Sequence, residues 1–217
     1  MDEMSPPPGL VPNLVARAAA GDRAAVVELL ERYRDRLRRM VALRLDPRLQ
    51  GRVDASDVIQ EGYLDAMRQL DEFIQDPAVP FYIWLRFLVG QRVQEQHRRH
   101  LETPGRDVGR EISIYRDAMP GASTGALAAR LLGKLTSPSQ AALRAERKLR
   151  LQEALNCMDP LDREILVLRH YEQMTNGDAA AALGLDKSAA SKRYTRALER
   201  LERMLAALPG NTSGSGR

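Results

Sequence analysis

The sequence is poor in the features that disulfide, metal and membrane proteins require. It holds one cysteine, Cys157, which excludes an internal disulfide and leaves no set of thiols at metal-ligand spacing. A lone cysteine favours a buried structural thiol in a reducing compartment. No uncharged apolar run approaches the roughly 20 residues that a membrane span needs, and the N-terminus lacks a signal-peptide pattern. We therefore expect a cytoplasmic protein that does not associate with membranes.

Residue patterns that indicate catalysis are also missing. The sequence contains no paired acid and base, no activated nucleophile and no glycine-rich phosphate loop. The three histidines, His97, His100 and His170, are scattered, with no matching ligands beside them. We therefore predict no catalytic residues, no metal site and no cofactor, and hence a protein that is not an enzyme.

Aromatic residues make up only 5% of the chain, whereas charged residues make up 29%. Leu, Ala, Arg and Glu recur at spacings of three and four, which is typical of amphipathic helices. We therefore predict an all-α fold with almost no strand. The formal net charge of +4 is too small to indicate a nucleic-acid partner by itself. Evidence for DNA binding therefore has to come from basic residues that cluster on one surface.

Composition divides the chain into two helical segments. Helical periodicity runs over residues 22–100 and returns over residues 140–208, and the intervening residues 101–139 are rich in Gly, Pro, Ser and Thr. Residues 1–21, which include three consecutive prolines, are predicted to be a disordered or partly helical tail, and residues 209–217 a disordered one. We predict two small helical domains, a helical bundle and a C-terminal helix-turn-helix, joined by a flexible linker.

Two helices of the first segment have clear starts. One is predicted to begin near Asp22, and the next around Ser56. The apolar positions of the second lie at helical spacing and are Ile59, Tyr63, Ala66, Met67 and Leu70, and its opposite, polar edge carries Asp57, Glu61 and Asp65.

The second segment has the clearest local signals. Asp159 followed by Pro160 indicates a helix start, because the carboxylate can cap the first amides and the missing N–H of proline costs nothing there. Thr175 opens a short alanine-rich helix that ends at Gly184, and Asp186 caps a longer helix. A short helix, a glycine turn and a longer basic helix form the geometry that places the last helix in the major groove of DNA.

The last helix carries the bonding groups that such a role needs. From Lys187 to Arg203 it has six basic residues against two acidic ones, and its N-terminal half carries no acid. Ser188, Ser191, Lys192, Thr195 and Arg196 share one face, and with Lys187 and Arg193 they form the predicted DNA-binding set. A solvated basic helix with no ligand is the alternative interpretation.

Both segments resemble the extracytoplasmic-function (ECF) sigma factors. Residues 54–67, DASDVIQEGYLDAM, resemble the family's Asp-Gln-Glu helix, and residues 84–99, WLRFLVGQRVQEQHRR, resemble its Trp-Leu…Arg-Arg helix. Residues 158–198 resemble the second domain of the family, whose motif ends in a Lys-x-Arg…Arg-Ala run. The sequence departs from the family pattern at Gly90, Gln91 and residues 177–178, where the family usually has Arg, Asn and Glu-Glu.

The resemblance implies two roles for the first domain. Docking on the clamp of the largest subunit of RNA polymerase falls on Asp57, Gln60 and Glu61; a polar helix face with no internal partner suits that role, although a merely solvated edge would show the same pattern. The family's next helix, with the loop before it, recognises and melts the −10 promoter element. That loop corresponds to DPAVPFY, and the candidate DNA-binding residues beside it are Gln91, Arg92, His97, Arg98 and Arg99. Trp84 and Phe87 are predicted to lie in the core.

The resemblance predicts a transcription initiation factor that binds core RNA polymerase, directs it to promoters through their −35 and −10 elements and assists strand opening. Its partners would be core polymerase and promoter DNA, and the resemblance allows an anti-sigma factor as a further partner. The main alternative is a free-standing helix-turn-helix regulator that binds duplex DNA as a dimer. A helical adaptor that binds no DNA is a third.

Overall fold

The structure is a computed structural model, and it describes residues 10–49, 51–101, 121–133 and 141–207. Its regular elements within those ranges are helices, with no strand, which confirms the all-α prediction. The α-helices in chain order are α1 (Leu10–Ala19), α2 (Arg23–Arg44), α3 (Ala55–Gln75), α4 (Phe81–Leu101), α5 (Thr124–Gly133), α6 (Ala141–Asn156), α7 (Pro160–His170), α8 (Asn176–Leu183) and α9 (Lys187–Ala206).

Asp22 connects the first two helices. Its carboxylate accepts the amides of Ala24 and Ala25 at 2.9 and 3.2 Å, which caps α2, and it pairs with Arg17 of α1 at 2.6 Å. The hydrogen bond from Arg17 and those from the capped amides hold the pKa of the Asp22 carboxyl below its ordinary value. The predicted start of α2 is confirmed. Helix α1 lies in the segment predicted as a tail, yet its Leu14 is only 1% exposed, so it belongs to the core.

Helices α2, α3 and α4 pack around one apolar core. Tyr63 donates its hydroxyl hydrogen bond to the Leu30 carbonyl at 2.6 Å, which fixes α3 against α2. Gly62 allows α3 to approach α4, because a Cβ atom built there would lie 2.5 Å from Cγ2 of Val89. The buried side chains of the three helices include Leu29, Leu37, Val41, Val58, Ile59, Ala66, Leu70, Leu85, Leu88 and Val93.

Five aromatic rings concentrate at one end of this core. Phe73 stacks on Trp84 with ring centroids 4.4 Å apart, and Tyr33 lies 5.0 Å from Tyr82. Phe81 contacts both groups, at 5.5 Å from Trp84 and 6.0 Å from Tyr33. Trp84 is buried, as predicted from the sequence, because α4 turns its first two apolar turns inward.

Helix α5 lies within the segment predicted as a linker. Its Leu127 and Ala128 are buried in the core. The Ser123 amide just before it donates to the Leu43 carbonyl of α2 at 2.8 Å, which ties this part of the chain to the first domain. The other predicted linker residues, 102–120 and 134–139, lie outside the described residues, as does the tail 209–217.

The helix-turn-helix forms through the caps predicted from the sequence. Asp159 accepts the Leu161 amide at 2.8 Å, and the Thr175 hydroxyl accepts the Asp178 amide at 3.1 Å. Gly184 has φ 63°, the left-handed conformation that ends α8, and Asp186 then caps α9. These local predictions are confirmed.

The prediction of a buried thiol is wrong, because Cys157 is exposed. It lies in the tight turn between α6 and α7, where the carbonyl of Cys157 accepts a hydrogen bond from Arg200 at 3.2 Å. The next residue, Met158, fills the adjacent core position and is 2% exposed. The turn therefore buries the larger, more apolar Met158 and leaves the Cys157 side chain exposed to solvent.

Gly62→Ala should lower the free energy of unfolding by about 1–3 kcal/mol, because the added methyl group overlaps Val89 on a helix that cannot retreat without breaking core contacts. The loss should appear as a lower Tm in a thermal melt followed by circular dichroism. Gly177→Ala is the matched control: its Cβ would lie 3.3 Å from the flexible end of Lys187 and at an ordinary 3.8 Å from the Thr175 hydroxyl, so the Tm should hold or rise. Equal losses in both variants would contradict the close approach of α3 and α4.

Candidate functional site

The outer face of α9 is exposed and rich in hydrogen-bonding groups. Ala190 and Ala197 on its inner side are buried, so the helix is fixed against the rest of the helix-turn-helix. Asn176 at the start of α8 donates to the Lys187 carbonyl at 2.9 Å, which holds the two helix starts together. The predicted DNA-binding residues that lie exposed are Lys187, Ser188, Ser191, Lys192, Thr195 and Arg196.

Arg193 does not share that face. Its Nη1 donates to Asp162 at 2.6 Å and to Asp159 at 3.2 Å, both at the start of α7, and its side chain is 27% exposed. One helical position places it about 100° from Lys192, toward the neighbouring helix. In this structure, Arg193 braces α9 against α7.

The polar face of α3 contains a second surface. Asp57 and Gln60 are exposed, and Glu61 is half-buried, with its Oε2 accepting no hydrogen bond among the described residues. Leu64 and Met67 continue the same face and are 54% and 60% exposed. Leu64 was not among the predicted apolar positions of α3, and Met67, which was, lies outside the buried face. The spacing of Gln60, Leu64 and Met67, at i, i+4 and i+7, was the signal that could have found this face.

Asp65 is the second correction on α3. It was predicted on the polar edge, but it is 8% exposed and accepts a hydrogen bond from Nε of Arg92 on α4 at 2.5 Å. That hydrogen bond raises the pKa of the Arg92 guanidinium further, so Arg92 stays charged. The side chain turns toward α4 because α3 and α4 lie close together at Gly62, one turn earlier.

The five candidates on α4 therefore separate into two groups. Arg92 is half-buried between Asp65 and Glu95. His97 is also half-buried, and its Nε2 accepts the Asp46 amide at 3.0 Å, which requires an unprotonated Nε2. The residues of the set that lie exposed are Gln91, Arg98 and Arg99, and of these Arg99 pairs with Glu95.

A cleft of about 270 Å³ lies where α3 ends and the loop to α4 begins. Its apolar walls are Phe73, Trp84 and Phe87, and the last of these is half-buried although it was predicted in the core. Gln69, Glu72 and Asp76 supply the polar rim. The cleft thus combines aromatic surface with hydrogen-bonding groups beside the loop that contains Ala78.

The described residues contain neither a membrane-spanning helix nor a metal-binding cluster. None of the helices there is both long and apolar enough to cross a membrane. In the same residues, no group of three or more His, Cys, Asp or Glu side chains is arranged to hold a metal ion.

Two family models match the chain on the elements that carry these surfaces. Sigma-70 region 2 matches residues 29–102, and Sigma-70 region 4 matches residues 148–201. The ECF RNA polymerase sigma factor SigD of Mycobacterium tuberculosis is 29% identical over 192 residues, which cover 87% of this chain and 81% of SigD. The chain belongs to the ECF sigma factors. It is a transcription initiation factor, in a family of non-catalytic transcription factors.

Other ECF-type relatives agree with this assignment. RNA polymerase sigma factor CnrH of Cupriavidus metallidurans is 29% identical over 196 residues, which cover 89% of this chain and 93% of CnrH. The solved structure of CnrH in complex with the cytosolic domain of CnrY shares the fold, with a TM-score of 0.54 at 24% identity, over 92% of this chain and 99% of that one. A match to region 2 as well as region 4 does not favour a free-standing helix-turn-helix regulator.

Asp65→Asn should lower the free energy of unfolding by about 1–3 kcal/mol, because half-buried Arg92 loses a charged acceptor. Chemical denaturation measures the change. Asp71→Asn, on an exposed position of the same helix, is the control and should stay within about 0.5 kcal/mol of wild type. If the two variants lose equal stability, Asp65 would behave as the solvated edge residue that the sequence predicted.

Proposed function

We propose that this sigma factor binds core RNA polymerase through α3 and recognises the −35 and −10 promoter elements through α9 and α4, assisting strand opening at the latter. The observation that carries the proposal is the outer face of α9, where cationic and hydroxyl side chains lie exposed on a capped helix-turn-helix. A basic helix that only needed solubility would not require this fixed geometry at its N-terminal end.

Recognition of the −35 element is assigned to the first two turns of α9. In a helix-turn-helix, the N-terminal residues of the second helix contact base edges in the major groove. Lys187, Ser188, Ser191 and Lys192 occupy those turns, and Arg196 follows one turn later. Lys and Arg bond guanine edges and phosphates, and Ser hydroxyls bond either. Arg193 supports this surface from behind through its carboxylate partners on α7.

Docking on the clamp of the polymerase's largest subunit is assigned to α3. Asp57, Gln60 and Glu61 provide acidic and polar groups, and Leu64 and Met67 provide apolar area beside them. Protein interfaces combine a small apolar centre with charged groups that select the partner.

Recognition of the −10 element is assigned to α4 and the loop before it. Gln91 and Arg98 lie exposed, and the cleft lined by Phe73, Trp84 and Phe87 offers aromatic surface to a base that has left the stack. Arg92 and His97 then act within the protein, by holding α4 in place.

We further propose that the protein acts in the cytoplasm, without cofactor or metal, and that a protein regulator binds it. The relative CnrH has been solved in complex with the cytosolic domain of CnrY, which supports such a partner for this chain.

Arg196→Ala should weaken promoter recognition by about 1–3 kcal/mol and leave the affinity for core polymerase unchanged, because Arg196 lies on α9 and not on α3. Glu61→Arg should do the reverse, because it places a like charge against a basic docking surface. Binding to purified core polymerase and transcription from a selected promoter measure the two roles separately. Equal effects of both changes on core affinity would contradict the division between the helices.

Lys192→Gln and Arg193→Gln form a matched pair, since both remove one positive charge from adjacent positions. Lys192→Gln should reduce the slope of log K against log salt concentration for duplex binding by about 1, because one exposed phosphate contact is lost. Arg193→Gln should change the slope less and lower the Tm more, since its charge is already paired with Asp162. Equal slopes for the two variants would show that Arg193 also contacts DNA.

A further inference from the structure

A cluster of four charges, three of them buried, lies between the two domains. Arg44 of α2 and Arg86 of α4 are 1% and 4% exposed, and Glu172, in the turn between α7 and α8, is 0% exposed. Oε1 of Glu172 accepts from Nη2 of Arg44 at 2.7 Å and from Nη2 of Arg86 at 3.1 Å, and Oε2 accepts from Nε of Arg86 at 2.5 Å. Glu164 of α7 pairs with the same two arginines. The cations thus come from the first domain and the anions from the second.

Further contacts seat the same turn on the first domain. Nε of Arg36 donates to the Glu172 carbonyl at 3.1 Å, and its guanidinium lies 3.8 Å from the centre of the Tyr82 ring. Arg39 donates to the Gln173 side chain at 3.3 Å. We call residues 171–174 the acidic turn, and we define the arginine socket as Arg36, Arg39, Arg44 and Arg86.

The acidic turn is shaped for this socket. Gln173 at its tip has φ 54°, a left-handed conformation that glutamine seldom adopts, while Tyr171 and Met174 on either side are 7% and 2% exposed. Burial would raise the pKa of the Glu172 carboxyl, but the charges of Arg86 and Arg44 outweigh it and hold the pKa below its ordinary value. Glu172 is therefore ionised in the interface, and its charge depends on the other domain.

We propose that the arginine socket is an intramolecular docking site for the acidic turn, and that it keeps the free sigma factor in a closed conformation which opens at a promoter. This inference rests on the proposed function, because only a factor that contacts both promoter elements has to open. The two elements lie about 25 base pairs apart, or about 85 Å along the duplex at roughly 3.4 Å per base pair. A compact chain of 217 residues has a radius of gyration of about 17 Å, hence a diameter of about 45 Å, and cannot reach both.

The chemistry of the interface suits a reversible contact. Buried charges are costly to leave unpaired, so the closed form strongly favours the complete cluster. Once the domains separate, however, the same charges regain water, and the cost of burying them disappears. Polymerase and promoter contacts therefore need to replace only the net interaction between the domains.

Energy transfer between two dyes tests the closed form. One dye is placed on the native Cys157, which is exposed in the second domain, and the other on Glu28→Cys, an exposed position of α2. High transfer is expected for the free protein, and low transfer once it forms a promoter complex with core polymerase. Low transfer in the free protein, or high transfer kept in a transcribing complex, would overturn the proposal. A protein that fails to bind polymerase at all would instead refute the proposed function.

Charge-removing variants of the same labelled protein test the cluster itself. Glu172→Gln and Arg86→Gln, one in each domain, should each raise the open fraction at least about tenfold, because the remaining buried charges lose a partner. The double variant should open no further than either single one. Glu146→Gln, which breaks the exposed pair with Arg150, is the matched control and should change nothing.

Helix content is followed in each variant by circular dichroism. If Glu172→Gln unfolds the helix-turn-helix, Arg86→Gln in the other domain decides the outcome. Unchanged transfer in a folded Arg86→Gln protein would show that the cluster does not hold the domains together.

Discussion

The arrangement of the two domains depends on one buried carboxylate. Glu172 has no access to solvent, and its ion pairs among the described residues are with two arginines of the first domain, Arg44 of α2 and Arg86 of α4. Removing one partner from such a cluster leaves a buried charge that costs about 3–5 kcal/mol. Since a small protein is stable by only about 5–15 kcal/mol in total, a cost of that size strongly favours the orientation of the domains that keeps the ion pairs complete.

Local hydrogen bonds explain which parts of the fold the sequence predicted. The caps at Asp159, Thr175 and Asp186 satisfy amides two or three residues away, so residue type and spacing suffice to find them. Contacts between distant residues have no such signature. Asp65 and Arg92 are 27 positions apart, and nothing in the helical periodicity of α3 separates a solvated carboxylate from one that accepts a guanidinium across a helix crossing.

The candidate site was predicted to the level of the helix face, and the structure refines it to individual residues. Two predictions that differ from the structure do so by one helical position. Met67 is exposed although the preceding Ala66 is buried, and Arg193 is paired with a carboxylate although the preceding Lys192 is exposed. The sequence pattern gives the centre of an apolar or polar helix face. Which residues at its borders are buried depends on how the neighbouring helices pack. For residues 1–21 a partial helix was predicted, but the burial of α1 was not, because the three prolines before it favour a tail and the buried stripe around Leu14 is short.

The closed conformation leaves the outer face of α9 open to solvent, and this determines what closing prevents. Lys187, Ser191 and Arg196 are exposed while the acidic turn occupies the arginine socket. Closing therefore does not cover the surface assigned to the −35 element; it restricts how far that surface can lie from α4. In the proposed closed conformation the face assigned to DNA stays available, yet the chain cannot place both domains on one promoter. On this proposal, promoter selectivity comes from the spacing between the −35 and −10 elements. Only the opened chain, bound to polymerase, can set α9 and α4 at that spacing.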